Sequence, residues 1–294
     1  MSVYPPEQVQ APTVEDFINN PTEVRRILDN LTRGQTIADY LLGQGPANNG
    51  AVVYDEVTGL PEEGSREVGA IAPGGEFPIV DGEQIAPRTA KVQKFGGAVE
   101  LTFEAIRRNE RDILQKKMRL LQRLVIKRVN AVCVNAITAN PHINTYGVSA
   151  GWLEESADPI GNLYAAISQI NDNDLGYEAD TAIINPNDAH RYLLGQERVR
   201  KQLPRESRAD NPVLNPSLDG LVGLEWITSN RVSQGEIYLA QRGVSGSVRD
   251  EEGGVQTYSY DLPGRQVRVL QGWRSMVPII TDPKSITRIT GFTA

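Results

Sequence analysis

The chain has 294 residues, with 30 lysines and arginines against 37 acids, a net charge of −7 and a pI near 5.1. At 23% charged and 39% hydrophobic, it is excluded from the globally disordered class. Its apolar runs, such as Val277 to Ile280, exclude a bilayer-spanning helix. The acidic balance argues against a dedicated nucleic-acid binder, and one cysteine with two histidines is too few for a Cys/His zinc site. Cys133 has no partner for an internal disulfide and suits a reducing compartment, and no charged-then-apolar signal segment follows Met1.

Residues 1–50 read as an arm with short helices. Pro21-Thr22-Glu23 suits a first helical turn, and Val24, Ile27, Leu28 and Leu31 follow at helical spacing. So short an amphipathic piece needs a partner surface for its stripe.

From Gly43 to Gly97 the texture changes. Eleven of the chain's 27 glycines fall in this stretch, together with Pro46, Pro61, Pro73, Pro78 and Pro87. Short β-prone runs at 51–54, 77–80 and 88–95 alternate with these breakers, and Thr58-Gly59 and Asp81-Gly82 are candidate hairpin turns. With few large apolar residues of its own, the segment reads as a two-stranded excursion lying on another surface.

Thr102 is a good N-cap, with Glu104 in the first turn. No breaker follows before Asn140-Pro141, so the spacing predicts one helix over 103–138, about 54 Å long. Ile106, Ile113, Leu120 and Leu124 suggest its apolar stripe. After Leu120 apolar residues multiply, which predicts a one-sided first half and a second half buried on most of its circumference.

Residues 158–264 read as a compact α/β unit. Asp158-Pro159 opens a helix through Leu163, Ala166, Ile167 and Ile170. Thr181 to Ile184 is a buried strand, and Asn185-Pro186-Asn187-Asp188 caps the next helix. The run 201–215 reads as a basic, proline-broken loop, and strands resume at 224–228 and 237–240. The terminal strands, 266–271, 275–281 and 286–290, are expected to return to a sheet beside the long helix.

Charge is unevenly distributed. Residues 1–80 hold twelve acids and four bases, and residues 104–128 hold nine bases and three acids. One reading is two differently solvated surfaces. Another is complementarity, with acidic segments meeting the basic helix of the same chain or a neighbour. The contact candidates are then Glu62, Glu63, Arg66 and Glu67 on the loop and Arg107, Arg108 and Arg111 on the helix. The basic stripe could instead face a nucleic-acid backbone, blind to sequence.

The catalytic inventory is thin. Gly147-Val148-Ser149-Ala150-Gly151 fits G-x-S-x-G, but Asn144-Thr145-Tyr146 is no buried strand and His190 is the sole downstream histidine, so the match reads as chance. Asp172-Asn173-Asp174 misses the spacing of a calcium loop. Gly43-Gln44-Gly45 lacks a dinucleotide fingerprint, and Glu62-Glu63 and Glu154-Glu155 read as solvated acids. His142 reads as a loop residue. Cys133, between Val132 and Val134, reads as a buried hydrophobe with a raised pKa. No catalytic, cofactor or metal site is expected; the chain reads as an assembly subunit.

The order of parts, with Lys94-Phe95-Gly96-Gly97 through Leu101-Thr102-Phe103-Glu104, Asn109-Glu110-Arg111-Asp112, the run Thr181 to Pro186, Leu221-Val222-Gly223, Thr228-Ser229-Asn230-Arg231-Val232 with Gly235, and Asp282-Pro283-Lys284-Ser285-Ile286 with Ile289-Thr290-Gly291, resembles the major capsid protein of tailed bacteriophages. That fold is shared with encapsulins and the herpesvirus capsid floor. The resemblance implies an α+β fold: an N-terminal arm (1–50), an extended β-hairpin loop (51–95), a peripheral domain (96–157) with its spine helix at 103–138, an axial domain (158–264), and strands returning to the peripheral domain (265–294). It further implies a virion shell of pentamers and hexamers around double-stranded DNA, assembled in the host cytoplasm. A separate scaffolding protein, a portal and a cement protein are the implied partners, with no membrane. No lysine precedes Lys91, which argues against the loop-lysine crosslink of some members. The alternatives are an encapsulin-type compartment and a serine hydrolase using Ser149.

Overall fold

The computed structural model describes residues 13–18, 20, 22, 24–26, 28, 36–57, 70, 71, 73, 87–155, 157–172, 176–200, 218 and 220–293. The expectations at 58–59, 77–82 and 201–215 lie outside these residues.

The arm finds its partner surface on its own chain. Helix α1 (Val14–Ile18) and the helical residues Val24, Arg25, Arg26 and Leu28 bury Val14, Ile18, Val24 and Leu28 against Val99, Leu101, Ile106, Leu114, Met118, Leu121 and Leu270. Each such side chain contributes about 1.5–3 kcal/mol on burial, so this stripe anchors the arm. Helix α2 (Ile37–Leu41) docks through the Ile37 amide, which donates to Asn130 Oδ1 at 2.8 Å.

The helix expected over 103–138 is two helices, α3 (Phe103–Arg107) and α4 (Arg111–Thr138). Thr102 caps the first as expected, accepting from the Ala105 amide at 3.3 Å. The break is a left-handed stop: Asn109 has φ +53°, its amide donates to Ile106 O, and the Glu110 amide donates to Ala105 O. Asparagine is the non-glycine residue that adopts this conformation most readily. Helix α4 has 28 residues, about 42 Å.

Two five-stranded sheets flank α4. In the first, β11 (Val267–Ile280) carries β4 (Gln93–Thr102) along one edge. Its other edge is taken in turn by β9 (Gly246–Asp250) and β10 (Gln256–Leu262), and β1 (Gly43–Pro46) joins β9. The second sheet runs β5 (Asn144–Gly147), β12 (Ile286–Thr290), β8 (Glu236–Ala240), β6 (Thr181–Ile184), β7 (Glu225–Thr228). This divides the chain differently from the expected boundaries. Strands β9 and β10, read with the 158–264 unit, belong to the sheet of the long helix, and β12, expected beside that helix, belongs to the other. The two expected runs at 266–271 and 275–281 are one strand.

Gly97 and Gly272 pair directly across β4 and β11, and Leu121 of α4 sits over them. A Cβ on Gly272 would lie 3.1 Å from Leu121 Cδ2 and 3.5 Å from Leu28 Cδ1, so bare backbone here lets helix and arm approach the sheet closely. The second half of α4 packs one side against both sheets, with Val125, Val129, Cys133 and Ile137 among Val248, Met276, Ile183, Tyr238 and Ile286, while Arg123, Leu124, Lys127 and Arg128 stay exposed. Helix α5 (Pro159–Asn171), capped by Asp158, buries Leu163, Ala166 and Ile170 on the second sheet, where Trp152 stacks on Phe292 at 4.7 Å.

Candidate assembly surface

Strands β2 (Ala51–Tyr54) and β3 (Arg88–Lys91) pair only with each other, Ala51 opposite Lys91 and Tyr54 opposite Arg88. The ribbon is at most half-buried on either face: Ala51, Val52, Tyr54 and Ala90 are half-buried, Arg88, Thr89 and Lys91 are exposed, and Val53 is 67% exposed. A lone two-stranded ribbon is marginal in water. Its root, however, is fixed. Asn49 and Gly50, at φ +57° and +72°, form the tight turn between β1 and β2, an Asn-Gly pairing suited to two successive left-handed residues. Buried Glu56 accepts from Asn140 Nδ2 at 2.7 Å and pairs with Arg88, whose guanidinium also approaches His142 Nε2 at 3.4 Å. The Val57 amide donates to Thr281 O at 2.8 Å and the Val92 amide to Gly50 O at 2.9 Å.

Arg107, Arg108 and Arg111 cluster, exposed, at the α3–α4 break. Arg107 lies 3.9 Å from Glu104 and Arg108 3.9 Å from Glu110. Exposed pairs at such distances contribute roughly 0–1 kcal/mol, so their positive field remains outward-facing. Glu62, Glu63, Arg66 and Glu67 lie outside the described residues.

A buried ion cluster joins the arm to the first sheet, and the sequence reading missed it. Arg274 of β11 is buried and bonds two carboxylates, Asp39 of α2 and Asp250 of β9. The Thr36 hydroxyl donates to the same Asp39 carboxylate. Burial alone would lower the Arg274 pKa, but the bonds to Asp250 and Asp39 outweigh it and raise it above the usual arginine value. Nothing local marks Arg274: in the run Trp273 to Met276 it reads as the outward residue of an alternating strand.

Cys133 is fully buried, and burial, reinforced by Asp39, pushes its thiol up to about 12. Ser149 is exposed in the irregular stretch between β5 and α5, so the G-x-S-x-G run does not form the strand-turn-helix elbow its chemistry requires. His190 is exposed in a π-helical turn, Ala189–Leu194. Among the described residues no group of three His, Cys, Asp or Glu could hold a metal, and no helix is long and apolar enough to cross a membrane.

A family profile described as phage capsid protein matches residues 85–289. Among solved structures, a virus-like particle from Pyrococcus furiosus has a TM-score of 0.60 at 13% identity, covering 90% of this chain and 97% of that one. An encapsulin complex from Synechococcus elongatus has 0.59 at 14%, covering 85% of each chain. The capsid of Cyanophage P-SCSP1u has 0.56 at 13%, covering 86% of this chain and 87% of that one. No curated protein matches in sequence. At such identities the structural likeness is one of fold.

Proposed function

The chain belongs to the phage capsid protein family, and from that premise we propose that its copies close into pentamers and hexamers of an icosahedral shell around double-stranded DNA. A single observation carries the reading: a β-ribbon rooted firmly by Glu56, Asn140 and Arg88 is no more than half-buried on either face among the described residues. Such a ribbon is stable only against something else, and an identical neighbour supplies the same surface to every copy in turn. The acidic loop, through Glu62, Glu63 and Glu67 with Arg66 among them, then meets the neighbour's Arg107, Arg108 and Arg111.

The shell protein has no enzymatic role in this reading. It touches packaged DNA without sequence preference and works with a separate scaffolding protein, a portal and a cement protein. Without a lysine before Lys91, a crosslink from the loop is replaced by non-covalent contacts. Assembly takes place in the host cytoplasm. Negative-stain microscopy of the expressed full chain tests this. Closed icosahedral particles are expected, and a monodisperse solitary protein at every concentration contradicts the proposal. A protein-enclosing compartment is the second reading, favoured by the encapsulin that shares the fold. Protein cargo without nucleic acid inside native particles would select it.

A further inference from the structure

Helix α4 carries a second apolar edge that faces away from its own core. Ile113, Leu120 and Leu124 are 36%, 43% and 48% exposed. At i, i+7 and i+11 they fall within about 40° of one another around the axis, a continuous stripe along the outer face. Lys116, Arg123 and Lys127 run along one side of it and Lys117 along the other. No acid occurs from Ile113 to Leu153, and none of these four bases is ion-paired among the described residues.

We infer that this face is the docking site of an amphipathic helix from a separate protein, with an apolar seam flanked by carboxylates. Two features must be matched together. The unpaired bases call for negative charge, and the stripe calls for an apolar partner of helical spacing. A DNA backbone satisfies the bases but gains nothing from three large apolar side chains. A second copy's α4 would set base against base. The arm's own apolar residues, Val14, Ile18, Val24 and Leu28, are already buried in the chain's core. The inference rests on α4 alone and stands whether or not the shell encloses DNA.

The test uses the unassembled full-length protein and two fluorescent probes. One is a peptide of about three heptads with leucine at the seam and glutamate on its flanks. The other is a DNA duplex of about 20 base pairs. The peptide is expected to bind. Its affinity should fall by roughly tenfold or more in Leu120→Ser/Leu124→Ser and again in Lys116→Glu/Lys117→Glu. These side chains are outward-facing, so the thermal melts of both variants should match the parent and separate lost docking from lost folding. Absent peptide binding, or peptide binding indifferent to the leucine changes, overturns the inference. So does duplex binding that follows the lysine changes alone and is not displaced by the peptide.

Discussion

Arg274 and Asp39, 235 residues apart, form a two-armed ion pair, with Nη1 to Oδ2 at 2.9 Å and Nη2 to Oδ1 at 2.6 Å. Asp250 takes the other edge of the same guanidinium at 2.8 and 2.7 Å. The arm helix is thus tied to the longest strand through the one charge that both carboxylates share.

Removing the arginine strands two half-buried carboxylates, whereas removing one aspartate leaves the other in place. Arg274→Met should therefore cost more than Asp39→Asn. Losses of about 3–5 kcal/mol are expected for the arginine variant, against half that or less for the aspartate variant. Urea unfolding of the unassembled proteins checks the ranking, and a reversed order would mean that the cluster is not held as described.

At Asn109 one residue supplies two things, a left-handed backbone that ends α3 and an acceptor for the Val14 amide at 2.8 Å. Asn109→Gly keeps the backbone freedom and loses the acceptor; Asn109→Ala loses both. Limited proteolysis should cut the arm faster in both variants. Only the alanine variant should also lose about 1–2 kcal/mol of stability to backbone strain. Equal stability for the two would remove the role assigned to the left-handed turn.

Cys133 gives an alkaline signature. Its thiol is raised from an ordinary value of 9.0 to about 12 in the folded protein. Its contribution is therefore complete below the unfolded value and declines as pH rises from there toward 12. Tyr238 is also raised, by burial and by its hydrogen bond to Glu236, and it is common to parent and variant. Cys133→Ala should thus flatten the alkaline fall in unfolding free energy, by on the order of 4 kcal/mol at the end of the range. Identical pH profiles would contradict the burial argument. At neutral pH, thiol reagents should label Cys133 only as the protein unfolds.

Arg107→Glu/Arg108→Glu/Arg111→Glu reverses charge at an exposed turn where the ion pairs of Arg107 and Arg108 are weak. Monomer stability should shift by less than about 1 kcal/mol, while particle yield by sedimentation collapses. Normal shells from this variant would dissociate the cluster from assembly.

Local signals made much of this architecture legible. Thr102, Asp158 and Asn185 cap helices as their residue types dictate, and the buried strand Thr181–Ile184 followed from an unbroken apolar run. The apolar stripe of α4 was phased wrongly. Ile113, Leu120 and Leu124 share one edge, but the core takes Leu114, Met118, Leu121 and Val125. With apolar residues on two sides, spacing alone does not decide which side the sheet covers. The stop at Asn109 was missed because asparagine costs little in a helix interior, and tertiary contact with the arm decides its conformation. Asn49-Gly50 was a readable turn signal that went unread. The pairing of β12 with β8 and of β9 with β11 is long-range, with no trace in the strands' own residues. The same holds for the Arg274 cluster, whose partners lie far along the chain.

The account depends most on the ribbon being completed from outside. Amide hydrogen exchange at 51–54 and 88–91, followed in dilute unassembled protein and in assembled particles, measures that directly. Fast exchange before assembly and strong protection after it is the predicted result. A ribbon already protected in the solitary chain, or one still exchanging freely within intact particles, would contradict it.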